Sequence, residues 1–204
     1  MPRPHATIGV LGGSFDPVHN GHLAIARMAR DHFGFEQLLL IPAGTPPHKA
    51  GIVRTSATDR LAMLRLAVGG EPGMLVWNGE IVRSGPSYTI DTVAEIRRLY
   101  PKAQIHLIIG ADNLREIRTW HRYAEVLPQV VLCVTERPGY ELCVPEELSA
   151  ARISAFPSPH IDASSSQVRA LLAKRQSCAG LIPDSVLAYI NEKGLYRHAS
   201  ASPA

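Results

Sequence analysis

The sequence predicts an α/β domain, a doubly wound parallel sheet of about five or six strands with helices on both faces. Three observations predict it. Apolar runs of strand length recur at 7–11, 37–42, 104–109 and 130–135. Between them lie stretches whose apolar residues repeat at helical spacing, and strand, helix, strand in that rhythm implies right-handed crossovers and parallel pairing. Glycine-bearing turns follow several strand ends, the edge at which open α/β sheets bind ligands.

The first strand, Thr7-Ile8-Gly9-Val10-Leu11, runs into Gly12-Gly13-Ser14-Phe15-Asp16-Pro17-Val18-His19-Asn20-Gly21-His22, and a helix follows through Phe33. A strand, a glycine turn and a helix start form an anion site, because backbone N–H groups converge there and the helix dipole adds positive charge. The paired glycines allow a phosphate close to the backbone. Pro17 stiffens the turn and favours helix entry. His19 and His22, three apart, project from nearly one face of the first helical turn. Gly21 between them is expected to leave room for a ligand. No third His or Cys lies at zinc spacing, so no metal site is expected, and no Gly-Lys-Ser/Thr closes the stretch as in a P-loop.

Strand 37–42 stops at Pro42 and leads to a loop with adjacent His48 and Lys49. Ser56-Ala57-Thr58-Asp59 reads as a capping box for a helix to Val68, stopped by Gly69-Gly70. Residues 74–77 and 80–83 read as extended segments around Asn78-Gly79, either a hairpin turn or a bend. Ser87 is the expected N-cap of the next helix, with Asp91 early and Arg97 and Arg98 late, in accord with the dipole. Strand 104–109 ends in Gly110-Ala111-Asp112, which offers close backbone approach and one carboxylate; Trp120 and His121 follow on a helix or turn. Strand 130–135 ends at Glu136-Arg137, residues 140–150 are weakly patterned, and 152–156 reads as a last strand. Ser164, Ser165 and Ser166 open a helix with Arg169 one turn in, a second anion site. A capped helix starts near Pro183 and ends near Lys193-Gly194.

Composition bounds the reading. At 204 residues the chain is read as one domain, 1–204, large enough for a substantial core. Its 46% hydrophobic and 19% charged residues fit an ordinary globular protein. Residues 199–204 are expected to be a disordered tail. The start has no signal-peptide core, and no apolar run reaches membrane-spanning length. Cys133, Cys143 and Cys178 make an odd count without Cys-x-x-Cys, which points to a reduced, cytoplasmic setting. The net charge of +3, with no Lys/Arg run, disfavours a nucleic-acid face and suits small phosphorylated ligands. A homo-oligomer is left open.

Gly-Gly-Ser-Phe-Asp-Pro-Val-His-x-Gly-His at 12–22 resembles the signature of the His-x-Gly-His nucleotidyltransferase superfamily, in its pyridine-nucleotide branch. Pro86-Ser87-Tyr88-Thr89-x-Asp91-Thr92 and Gly110-x-Asp112 with Trp120 downstream are similar to further motifs of the bacterial nicotinate-mononucleotide adenylyltransferases, and Ser164-Ser165-Ser166-x-Val168-Arg169 resembles the superfamily's second phosphate motif. In the last motif Ala163, Ser166 and Val168 depart from Ile, Thr and Ile, while the hydroxyl and the Arg remain. The resemblance implies a Rossmann-like, adenine nucleotide α-hydrolase-like nucleotidyltransferase fold. It implies transfer of the adenylyl group of ATP, with Mg²⁺, to nicotinate mononucleotide, with His19 and His22 catalytic. Gly12, Gly13, Ser14, Phe15, Gly110, Asp112 and Arg137 would bind ATP alongside the histidines, joined by Ser165, Ser166 and Arg169. Asp16, His48, Lys49, Tyr88, Thr89, Trp120 and His121 would bind the mononucleotide. Read alone, Trp120 suits a core position; the resemblance sets its indole against the pyridine ring. Another acceptor (nicotinamide mononucleotide or pantetheine phosphate) or a non-catalytic nucleotide-binding protein on the same fold stays open.

Overall fold

The computed structural model describes residues 7–45, 55–136, 144–159, 161 and 163–197. The chain runs β1 (Thr7–Gly13), α1 (Asn20–Phe33), β2 (Gln37–Pro42), α2 (Ala57–Val68), β3 (Met74–Val76), α3 (Gly79–Val82) and α4 (Thr89–Leu99). It continues through β4 (Gln104–Gly110), α5 (Ala111–Arg115), a 3-10 turn at Ile117–Thr119 and α6 (Tyr123–Val126). Then come β5 (Val130–Glu136), β6 (Ile153–Pro157), α7 (Ser165–Ala173) and α8 (Asp184–Lys193).

Six strands form one parallel sheet in the order β3-β2-β1-β4-β5-β6, at the upper end of the expected number. Alternation along each strand divides the apolar side chains between two cores. Leu38 and Leu40 of β2 face α1, α2, α7 and α8, packing with Ala26, Leu64, Val168 and Val186. Leu39 and Ile41 face the opposite side, with Ile90, Val93 and Ile96 of α4 and Leu114 of α5. Both faces are covered, as continuous apolar strands require. The order reverses between β1 and β4, where the two halves of a doubly wound sheet part and leave a crevice.

Local chemistry accounts for most element ends. Ser56 Oγ accepts from the Asp59 N–H at 3.0 Å and donates to its carboxylate at 2.6 Å, so α2 starts as expected. Ser164 caps α7 by accepting from Gln167 N–H at 3.1 Å. Three expectations need correction. Residues 80–83 are not extended: the Asn78 carbonyl accepts from the N–H groups of Ile81 and Val82, and the chain winds into α3. Gly79 permits this, since its missing Cβ would sit 2.0 Å from the Trp77 ring. No side chain caps α8, which begins after Pro183 with Asp184 in its first turn. Nor does Ser87 cap α4; the cap position is Tyr88, without a side-chain bond.

The expected disordered tail at 199–204 and Cys143 lie outside the described residues. Cys133 and Cys178 are buried free thiols, and burial pushes Cys133 up to about 12. Among the described residues no helix is long and apolar enough to cross a membrane.

Candidate active site

The turn after β1 is held from three sides. Arg60 of α2, 1% exposed, donates through Nη1 to the Ser14 carbonyl at 2.8 Å and through Nη2 to the Gly44 carbonyl at 3.1 Å. Burial lowers this guanidinium, and Asp16 and Tyr196 act in the opposite sense. From α7, Arg169 Nη1 donates to the Asp16 carbonyl at 2.7 Å and Ser165 Oγ to the Pro17 carbonyl at 2.9 Å. The Asp16 carboxylate accepts from Thr55 Oγ1 and from the Tyr196 hydroxyl, each at 2.6 Å. Phe15 occupies the left-handed region at φ 49°, which turns its ring into the core at 1% exposure.

On this platform His19 is the N-cap residue of α1 and His22 the third residue of the helix. His22 Nδ1 accepts from the His19 backbone N–H at 3.2 Å, as a Glu does in a capping box. With Nδ1 accepting, the His22 ring carries its proton on Nε2. The two imidazoles lie 3.7 Å apart between centroids, and Phe15 meets His22 edge-on at 4.9 Å. Burial lowers His19 from 6.5 to about 4, so at neutral pH it is an uncharged imidazole. The pair therefore offers N–H donors rather than a double positive charge.

Gly21 does something other than leave room for a ligand. A Cβ there would lie 3.0 Å from His19 Nδ1 and 3.3 Å from the Ala163 carbonyl oxygen. The space belongs to the His19 ring and to the chain entering α7.

A cavity of about 350 Å³ opens at the carboxyl ends of β1 and β4, where the strand order reverses. Gly12, Gly13 and Ser14 form one wall; Tyr88 and Thr89 at the start of α4 form another. Thr119, Trp120 and His121 complete it, with the Tyr88 and His121 rings stacked at 4.2 Å. Two motifs some thirty residues apart in sequence thus meet, as the resemblance implies. Ser87 Oγ accepts from Gly44 N at 3.0 Å and Thr45 N at 3.2 Å, so its hydroxyl turns away from the helix it was expected to cap. Among the described residues no N-cap side chain bonds the first N–H groups of α4, and Tyr88 and Thr89 at this helix start border the cavity.

Other expected site residues are placed differently. Asp16 is 2% exposed, its carboxylate directed to Thr55 and Tyr196, and Phe15 can offer only its backbone. Ser165 and Arg169 brace the turn, with Arg169 Nη2 also donating to the exposed Ser166 Oγ at 3.1 Å. Gly110 is the N-cap of α5; exposed Asp112 pairs with Arg115 one turn on, while Asn113 and Glu116 line the cavity instead. His48, Lys49 and Arg137 lie outside the described residues. Sequence reasoning missed Arg60, Glu80, Asn113, Glu116 and Thr119. Arg60 could have been found, as a charge on the buried stripe that continues through Leu64 and Ala67. Glu80 also lines the cavity; burial raises its carboxyl, against hydroxyl bonds from Thr92, at 2.7 Å, and Ser87. Among the described residues no group of three or more His, Cys, Asp or Glu could hold a metal ion.

The cytidylyltransferase-like family model matches residues 10–171. A "Probable nicotinate-nucleotide adenylyltransferase" of Gloeobacter violaceus is 41% identical, over 93% of this chain and 95% of its own. One of the same name from Desulfitobacterium hafniense is 40% identical, over 95% and 97%. In three dimensions the chain is similar to the Plasmodium falciparum nicotinic acid mononucleotide adenylyltransferase complexed with NaAD. That match has a TM-score of 0.78 and covers 97% of this chain and 100% of the other; at 18% identity it speaks for the fold alone. Matched along most of its length by the family model and by these relatives, the chain belongs to the cytidylyltransferase-like family, among its nicotinate-nucleotide adenylyltransferases.

Proposed function

We propose that this chain transfers the adenylyl group of ATP to nicotinate mononucleotide, giving deamido-NAD and pyrophosphate. One observation carries the reading. The strand end Gly12-Gly13-Ser14 leads into the histidine turn and also walls the aromatic cavity, so phosphate donors and a pyridine-sized recess share one backbone.

The acceptor phosphate is already an anion at neutral pH, and it attacks the α-phosphorus of ATP in line while pyrophosphate leaves. No protein base and no covalent enzyme intermediate are needed. The chain's task is positioning and donation to developing charge. His19 and His22 donate N–H bonds to the ATP phosphates, beside the backbone of Gly12, Gly13 and Gly110. Ser166 and Arg169 approach from α7. His48 and Lys49 take the mononucleotide phosphate. The ring lies among Tyr88, Trp120 and His121, where stacking on an aromatic side chain contributes about 0.5–1.5 kcal/mol beyond burial. Mg²⁺, bound with ATP, would offset charge on the triphosphate oxygens; among the described residues no group of three or more His, Cys, Asp or Glu is placed to hold it.

Selection of the acid over the amide rests on α4. Its uncapped N–H groups and positive dipole end suit a carboxylate. The amide would set its own NH₂ against those donors, at about 1–3 kcal/mol for a group left unpaired. The expected preference is therefore about tenfold to a hundredfold in kcat/KM. Measuring kcat/KM with both mononucleotides and with pantetheine phosphate tests this. Equal values, or preference for the amide, refute the acid-selective reading; turnover of none of the three refutes the transferase.

A further inference from the structure

The histidine turn is braced from the far end of the chain. Beyond α8 the helix closes on Gly194, and Tyr196 then takes a left-handed φ of 62°. Such a conformation is costly for a residue with a Cβ and persists only where surroundings hold it. Here a polar cluster does. The Tyr196 hydroxyl donates to Asp16 Oδ1 at 2.6 Å and lies 3.3 Å from Thr55 Oγ1, which donates to the same oxygen at 2.6 Å.

Two hydroxyls, one just before α2 and one just after α8, thus converge on one carboxylate oxygen at the length of charge-assisted bonds. Asp16 is 2% exposed and precedes His19 by three residues. Its backbone carbonyl is held independently by Arg169. Burial and the Asp16 bond push the Tyr196 phenol far up, so it remains a donor at any working pH. A buried carboxylate carries a large desolvation cost, and a sequence that needed only a packed turn would use an apolar residue there. The arrangement makes sense if the direction of the turn matters more than its stability.

We propose that Tyr196 is a positioning residue for the histidine pair: with Thr55 it fixes the Asp16 carboxylate and so the angle at which the turn presents His19 and His22. It does not line the cavity. The inference rests on the adenylyl-transfer reading for its kinetic arm, and has a second arm that does not.

Tyr196→Phe and Thr55→Val each remove one hydroxyl and keep the side-chain shape. In each, kcat is expected to fall about tenfold, since misplacement of a catalytic donor is felt in the chemical step. KM for ATP and for the mononucleotide should stay within about threefold. The double variant should lose less than the product of the single losses, because both hydroxyls act through one carboxylate. The second arm records the imidazole NMR signals of His19 and His22, which should shift in Tyr196→Phe while the melting curve remains cooperative. Values of kcat within twofold of the parent in both variants overturn the proposal. So do a KM rise at constant kcat, a loss of activity that tracks the folded fraction, or unmoved imidazole signals. A parent without turnover refutes the transferase reading alone, and the imidazole signals then decide the positioning role.

Discussion

Acid should destabilise this protein through His19, and the size follows from the structure. His19 is 8% exposed, and its pKa falls from 6.5 to about 4 because burial disfavours the charged ring. Between those values the unfolded chain binds a proton that the folded chain refuses. Stability therefore rises with pH across the window; this contribution is fully present above about pH 7 and is lost as pH falls toward 4. Linkage at pH 4.5 gives a loss of about 2.5 kcal/mol from this one group, an upper estimate because a small opening would rehydrate the ring. Urea midpoints at pH 7.5, 6.0, 5.0 and 4.5 for the parent and for His19→Asn measure it, with m-values checked for constancy. The parent should lose about 2.5 kcal/mol more than the variant between the extremes. Parallel curves would refute the claim that His19 is held neutral. The same neutrality predicts that His19 contributes no step near 6.5 to the pH dependence of kcat; an NMR titration of the His19 ring near that value would refute it.

Gly21→Ala should cost about 1–3 kcal/mol by overpacking against the His19 ring and the Ala163 carbonyl, and should lower turnover as well; an unchanged melt with unchanged turnover would contradict the close approach. Arg60→Met leaves the Ser14 and Gly44 carbonyls without their guanidinium, at about 1–3 kcal/mol each, and a urea midpoint unmoved by the change would show that Arg60 is not the brace described. Arg169→Ala should weaken ATP more than the mononucleotide, by about 1.5–3 kcal/mol, and Lys49→Ala the reverse; equal effects on both substrates would show the phosphate sites wrongly divided.

The fold was legible because its signals are local. Continuous apolar runs, helical periodicity and the caps of α2 and α7 each sit within a few residues, and each element they mark is present. The histidine turn was legible for the same reason. What failed depended on partners distant in sequence. Ser87 has the right type and position for an N-cap, yet two backbone N–H groups from the end of β2 claim its hydroxyl. Asp16, inside the motif, reads as a ligand until Thr55 and Tyr196 are seen converging on it. Asp112, expected at ATP, is exposed and pairs with Arg115, and it is Asn113 and Glu116 of the same stretch that border the cavity, a division no local signal shows.

The cavity wall shows how such errors change a chemical argument without overturning it. The donors at the start of α4 have Asp91 as the nearest acid along the chain. Folding adds Glu80 and Glu116, two carboxylates that would repel a nicotinate carboxylate. Glu80 is not an open acceptor, however: hydroxyls of Thr92 and Ser87 bond it, and burial raises its carboxyl toward the neutral form. Glu116 is exposed, so water screens its charge. Against these stand the α4 N–H groups that the misread Ser87 leaves uncapped. The same displacement that defeated the cap expectation supplies the donors on which selection of the acid depends. Placing a carboxylate at the cap position itself, as in Tyr88→Asp, would set an anion beside those donors and should narrow the kcat/KM ratio of acid over amide; an unchanged ratio would show that they do not select the acid.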